Sequence, residues 1–308
     1  MITILLILVI NVYADKYAGE IFKMGTGVRN LALGRTGLTD TLTPAPAYWN
    51  PALLINQTQS NFEIMHAEDF QGLVKYDTIT GALTDYNLGF TVTRVGINNI
   101  KLTKVPDPNQ EPGSNNRPYH YKTINTADYI IYVGLAREIR SISWGITPKF
   151  VYRNLAEKSA FGFGADLGAY TQPLEHFALG LKIRDLIPTQ VYWENGTREN
   201  VHTGFDLEAK MNTQMPKLSF PVNLYFNLET NTEGIQKYSL ANIGDFSFDP
   251  HIGAEFIVHP IFSFFAGYDL EYLTAGLGLS YQKFQLNYAF KQNTELNNSH
   301  RISLGYSY

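Results

Sequence analysis

The chain has 308 residues and a formal net charge of −4, with no basic stripe, so nothing in it is built to hold nucleic acid. Charged residues make up only 17% and aromatics 14%, including 20 Tyr and 19 Phe, yet mean hydropathy is negative, which excludes a bundle of apolar membrane helices. There is no cysteine, which excludes disulfide staples and thiolate metal sites.

In chain order, residues 2–10 form an apolar run of the length of a signal-peptide core, and Val12 and Ala14 stand like a cleavage site ahead of Asp15. The run is too short to span a bilayer as a helix, which takes about 20 residues. Residues 1–14 are therefore expected to be a signal peptide cleaved near Ala14, although no Lys or Arg precedes the apolar run.

Residues 15–60 show no alternation. Ile21, Met24, Val28 and Leu31 recur at helical spacing with Gly25 and Gly27 among them, predicting a short helix and a Gly-rich turn. Asn50 precedes Pro51, which pushes Asn50 toward an extended conformation, while Pro51 suits the first turn of a helix. A segment of this size does not bury a core of its own, so it is expected to pack on or inside the remainder of the chain.

From Asn61 to Tyr308 the chain reads as one strand after another, with clear alternation at 86–93, 141–153, 161–170, 177–186, 204–211, 221–229, 251–258, 274–281 and 283–290. Weaker alternation at 61–67, 71–80, 124–136 and 262–269, with the last strand, brings the total to about fourteen, an even number as bacterial barrels require. One face carries large apolar residues, as with Ile142, Trp144, Ile146, Phe150 and Tyr152. The other is small and polar, as with Ser143, Gly145, Thr147, Lys149 and Arg153. A water-facing surface would carry many more Lys and Glu. The pattern is that of a barrel in lipid, apolar outside and polar within.

Connections sort by parity. Those at 96–123, 187–200, 230–248 and 291–299 read as long and polar, and the alternate ones, such as 137–140 and 171–176, are short. Long loops on one side and short turns on the other are the mark of an outer-membrane barrel. The predicted fold is thus all-β, a transmembrane antiparallel β-barrel of about fourteen strands over 61–308. Its lumen is too wide for side chains alone to fill, and residues 15–60 are expected to plug it. Within that plug Tyr48, Trp49, Asn50 and Pro51 are the expected anchors, Asn50 above all, because a buried amide must find partners.

The chain closes on "HRISLGYSY", where Ile302, Leu304, Tyr306 and Tyr308 alternate with Arg301, Ser303, Gly305 and Ser307. An alternating strand that ends on an aromatic residue reads both as wall and as the signal that the barrel-assembly machinery recognises.

"AGEIFKMGTGVRNLALGRTG", then "YWNPALL", then a strand series closing on "HRISLGYSY" resembles the PorV/PorQ family of bacterial outer-membrane proteins, itself similar to the FadL-like barrels. The resemblance covers nearly the whole mature chain. It implies an outer-membrane location and a non-enzymatic role in protein export or surface presentation, with exported proteins or secretion-system components of the type IX kind as partners beside outer-membrane lipid. The alternative is a FadL-like transporter of hydrophobic small molecules. Here Leu53 stands where the family usually carries Gly, and "LTDTLTPAPA" replaces its acidic stretch, which leaves open the branch to which the chain belongs.

Catalytic and cofactor motifs are absent: "GTGVRN" lacks the third glycine of a dinucleotide fingerprint, and the seven His make no pair at metal spacing. No cofactor, metal or catalytic residue is expected. Asp206, Glu208 and Lys210 share one lumen face and Lys149 and Arg153 another, to be read as a charged constriction or, preferably, as paired charges that stiffen the wall.

Overall fold

The computed structural model describes residues 19–214, 220–232, 239–293 and 297–308. The expected signal peptide, 1–14, and residues 15–18 lie outside them. The strands are β1 (Asn61–Asp69), β2 (Val74–Leu83), β3 (Leu88–Lys104), β4 (Tyr119–Ile139), β5 (Ile142–Leu155), β6 (Lys158–Leu174), β7 (Phe177–Trp193) and β8 (Arg198–Asn200). They continue as β9 (Gly204–Gln214), β10 (Pro221–Asn231), β11 (Ala241–Ile243), β12 (Phe246–His259), β13 (Phe262–Asp269), β14 (Tyr272–Tyr281), β15 (Phe284–Lys291) and β16 (Ser299–Ser307).

All sixteen join one antiparallel sheet; β8 and β11 are three-residue arms on β7 and β12, and the other fourteen form a closed ring. Every neighbour follows in sequence, and the ring closes where β1 pairs with β16, Phe62 opposite Tyr306. There the Tyr308 amide donates to the Ser60 carbonyl at 2.9 Å. Closure leaves no unpaired edge, which is the condition for a sheet to stand in lipid.

The alternation has the expected sense. On β5 the inward Ser143, Thr147 and Lys149 are buried, while Trp144, Ile146, Phe150 and Tyr152 are exposed on the outer face. On β16 the inward Arg301 and Ser303 are buried, and Ile302, Leu304, Tyr306 and Tyr308 face out. Toward the loop end the outer face turns polar, where His66, Asp77 and Arg94 join on β1, β2 and β3, with His66 Nδ1 2.6 Å and Arg94 Nη1 3.3 Å from Asp77.

The wall is uneven in height. At about 3.3 Å per residue and a tilt near 40°, the 21 residues of β4 rise roughly 50 Å and the 8 of β15 roughly 20 Å, against an apolar belt of about 25 Å. Here the sequence reading needs correction. Alternation predicts loops at 96–123 and 187–200, yet β3 runs to Lys104, β4 starts at Tyr119 and β7 runs to Trp193. Tyr119, His120, Tyr121 and Lys122 are all exposed, because this ribbon stands clear of the belt with water on both faces, so no alternation marks it. The parity of the connections holds. The long ones at 105–118 and 194–203 share one end, and 140–141, 175–176 and 260–261 lie at the other.

One interruption matters for the interior. Between β6 and β7 the pairing jumps from Ala165 opposite Ile187 to Leu167 opposite Ile183, with Asp185 at φ 53°. The bulge reverses the facing of β7: Lys182 and Arg184 point inward before it, Thr189 and Val191 after it.

Residues 20–56 lie along the buried face of the wall. A 3-10 turn at Glu20–Lys23 precedes α1 (Val28–Ala32), which packs against β13 to β16. Helix α2 (Pro46–Trp49) meets β2, β3 and β4, and a second 3-10 turn, Pro51–Asn56, meets β3 to β6.

Candidate functional site

The interior is built where residues 20–56 meet the wall. Asn50 is extended, at φ −154° and ψ 105°, as a residue before proline should be, and it caps the Pro51–Asn56 turn by accepting from the Ala52 amide at 3.1 Å. Its side-chain nitrogen donates to Leu38 O at 2.8 Å and to Ala169 O of β6 at 3.0 Å. The amide is fully buried, and both of its polar atoms are used. Tyr48 donates to Phe22 O at 2.8 Å and accepts from the Gly25 amide at 3.0 Å; burial pushes its hydroxyl up to about 12. Trp49 Nε1 donates to Thr26 O at 2.8 Å. Lys182 donates to Tyr48 O. Pro51 presses on the wall so closely that a Cβ on Gly145 would stand 2.5 Å from its carbonyl carbon. The structure thus brings all four expected anchors together between the segment and β4 to β7.

Sequence reasoning missed the strongest contacts. Arg29 of α1 reaches Asp40 Oδ2 at 2.8 Å and Glu255 of β12 at 2.6 and 2.7 Å. Burial alone would raise the Asp40 carboxyl, but the Arg29 guanidinium outweighs it and holds the group below its usual value. Glu208 of β9 accepts from the Gly37 and Thr39 amides, both at 2.8 Å, and from Thr39 Oγ1 at 2.6 Å. Wall threonines complete the set: Thr274 donates to Ala32 O at 2.8 Å and Thr147 to Ala47 O at 3.0 Å. The inward parity of Glu208 and Glu255 was readable from alternation. Their partners were not, since they lie about 170 residues or more away.

The charges beside this interface are paired. Lys149 lies 2.9 Å from Asp166 and 2.8 Å from Asp185, which the β7 bulge brings inward. Arg184 lies 2.9 Å from Asp206, and Arg153 3.2 Å from Asp128. Only about 40 Å³ of free space remains among Phe22, Arg35, Tyr48 and Lys182, enough for a water or two. Lys210 sits over the Tyr225 ring at 5.4 Å instead of joining Asp206 and Glu208 in a constriction.

Toward the loop end the interior opens. A cavity of about 510 Å³ lies between the segment, at Lys23, Met24, Leu31 and Arg35, and the wall strands β10 to β16. His251 of β12 faces it with Nδ1 3.1 Å from Asp269 and Nε2 3.6 Å from Glu229. Neither contact has hydrogen-bond geometry, and neither ring nitrogen has another partner among the described residues. Ser143 bonds Asn56 at 3.2 Å on another strand, so Ser143 and His251 form no nucleophile–base pair. Among the described residues no group of three His, Asp or Glu is placed to hold a metal.

No protein-family profile and no curated protein matches the sequence. Solved structures do. The Pseudomonas putida toluene transporter TodX aligns with a TM-score of 0.58 at 10% identity, over 92% of this chain and 98% of its own. The Ralstonia pickettii toluene transporter TbuX aligns at 0.56 and 11%, over 92% and 98%. The shared fold is the closed antiparallel barrel described above. At such identities the likeness to the two transporters concerns the fold alone.

Proposed function

We propose that this FadL-like barrel is an outer-membrane transporter of small molecules with apolar character, closed at rest by residues 19–60 acting as a plug. The observation that carries the reading is a cavity of ligand size at the loop end of the barrel, between Lys23, Met24, Leu31 and Arg35 of the segment and the wall. Both solved neighbours named above are toluene transporters, which supports the same class of solute. The resemblance to PorV/PorQ proteins supports protein export instead, but neither the cavity nor those neighbours adds to it.

The test is uptake. Cells making the protein should take up toluene-like solutes across the lipopolysaccharide layer faster than cells without it. Removing residues 15–58 should leave a barrel that conducts ions in planar bilayers, while the intact protein conducts little. No gain in uptake for any small-molecule probe, or an intact protein that conducts like an open porin, overturns the reading. Exported proteins that co-purify in mild detergent would favour the export role.

A further inference from the structure

A second space lies at the other end of the same strip of wall. On β15, β16 and β1 the loop-end cavity is lined by Lys291, Arg301 and Asp69. At the short-turn end a space of about 90 Å³ is lined on those three strands by Gln285, Gly305 and Glu63, and on the segment by Leu42 and Pro44. Along β16 the way from Arg301 to Gly305 is only about 13 Å, at roughly 3.3 Å per residue. Elsewhere the segment presses on the wall. A Cβ on Gly145, Gly168 or Gly180 of β5 to β7, or on Gly253, Gly267 or Gly276 of β12 to β14, would stand 2.1–2.5 Å from an atom of residues 32–51. Gly305 of β16 differs: the atoms nearest such a Cβ belong to Gln285 and Phe62 of the wall, the closest at 3.4 Å. Hydrogen bonds flank the strip. On one side Thr274 of β14 donates to Ala32 O; on the other Thr26 donates to Thr78 of β2 at 3.1 Å and Tyr76 to Gly25 O. Between these bonds Val28 and Leu31 of α1 join Met65, Ala67 and Ala289 in one apolar cluster. The Val28 amide faces the Glu63 carboxyl, yet Glu63 Oε1, though buried, has no hydrogen-bond partner.

We propose that the solute passes between α1 and the inner face of β15, β16 and β1, from the loop-end cavity to the space at the short-turn end, with Val28 and Leu31 as the gate. The inference rests on the transport reading and names its route. An apolar solute that parts Val28 and Leu31 from Met65, Ala67 and Ala289 replaces apolar contacts with its own. The same solute between the segment and β5 or β6 would leave the partners of Thr147 with Ala47 O and of Asn50 with Ala169 O buried and unpaired, a cost it has no group to offset. The floor of the route is low, since Ser303, Ala67 and Ala289 are small and face inward.

The experiment uses the absence of cysteine, which lets single cysteines report without background. Ser303→Cys and Ala289→Cys lie on the route. Ala178→Cys of β7 is buried to a like degree on another side of the ring, beside Leu53. In cells making the full-length protein, N-ethylmaleimide should label the first two at least about tenfold faster than the third, because the route opens and the β7 side does not. Toluene should slow that labelling, and completed labelling should stop toluene uptake. Gly305→Leu fills the far space and should cut uptake about tenfold, while calorimetric binding of toluene to the protein in detergent is unchanged. Heat-modifiable migration checks that each variant is folded, and if Gly305→Leu is not, the labelling decides alone. Labelling of Ala178→Cys as fast as Ser303→Cys, toluene uptake with neither route cysteine labelled, or full uptake by folded Gly305→Leu overturns the route and leaves transport standing. Cells that gain no uptake of toluene or any other small-molecule probe overturn the transport reading, and the route falls with it.

Discussion

Asn50→Ala tests how the segment is held. The substitution removes three hydrogen bonds, to Leu38 O, to Ala169 O and from the Ala52 amide, all at a site with no access to water. At a net contribution of about 1 kcal/mol each, the docked segment loses about 3 kcal/mol, which raises its opening equilibrium by roughly two powers of ten. The barrel ladder is not touched, so the loss should be local. Hydrogen exchange reads it directly. The amides of Leu31, Leu33, Asn50 and Leu53 are bonded within the segment, to Gly27, Arg29, Pro46 and Asn50. Their protection should fall about a hundredfold, while amides of β13 to β16 stay as they were. Unchanged protection would refute the idea that Asn50 holds the segment in its folded, docked form, through two bonds inside it and one to β6. An equal fall in segment and strands would refute the idea that the two open separately.

Arg29→Met leaves Asp40 and Glu255 buried without their cation and should cost about 3–5 kcal/mol, seen as a lower urea midpoint in detergent, with Glu255→Gln milder because it still accepts. Gly253→Ala puts a Cβ 2.5 Å from Leu33 O and should expose the segment to protease, whereas Gly113→Ala, with 4.0 Å of clearance, should change nothing. Protease added to intact cells should cut within 105–118 and spare 175–176; cutting confined to the short turns would reverse the topology. Replacing Tyr306 and Tyr308 by Ser sets hydroxyls on the outer face and removes the aromatic end, so the yield of heat-modifiable barrel in membranes should fall. An unchanged yield would show that these residues are not an assembly signal.

The wall was legible in the sequence because a strand in lipid has two faces in two solvents. Trp144 against Gly145, or Leu304 against Ser303, records that contrast residue by residue, and the parity of the connections records which end is which. Asn50-Pro51 was legible for a local reason, since a proline constrains the residue before it wherever the chain goes. Legibility stopped where both faces meet one solvent, as along Tyr119–Lys122, and where a bulge at Asp185 reversed the facing within a strand. The interior is the other limit. Arg29 with Glu255, Thr39 with Glu208 and Asn50 with Ala169 are joined only because the ring closes around the segment, and no pattern of nearby residues encodes such pairs. The inward glycines give the sequence a merely small-sided lumen; in the fold the segment's backbone is pressed against them. Local periodicity fixes what each residue faces, and only closure of the ring decides what it touches, including which charges meet across the cavity beneath the loops.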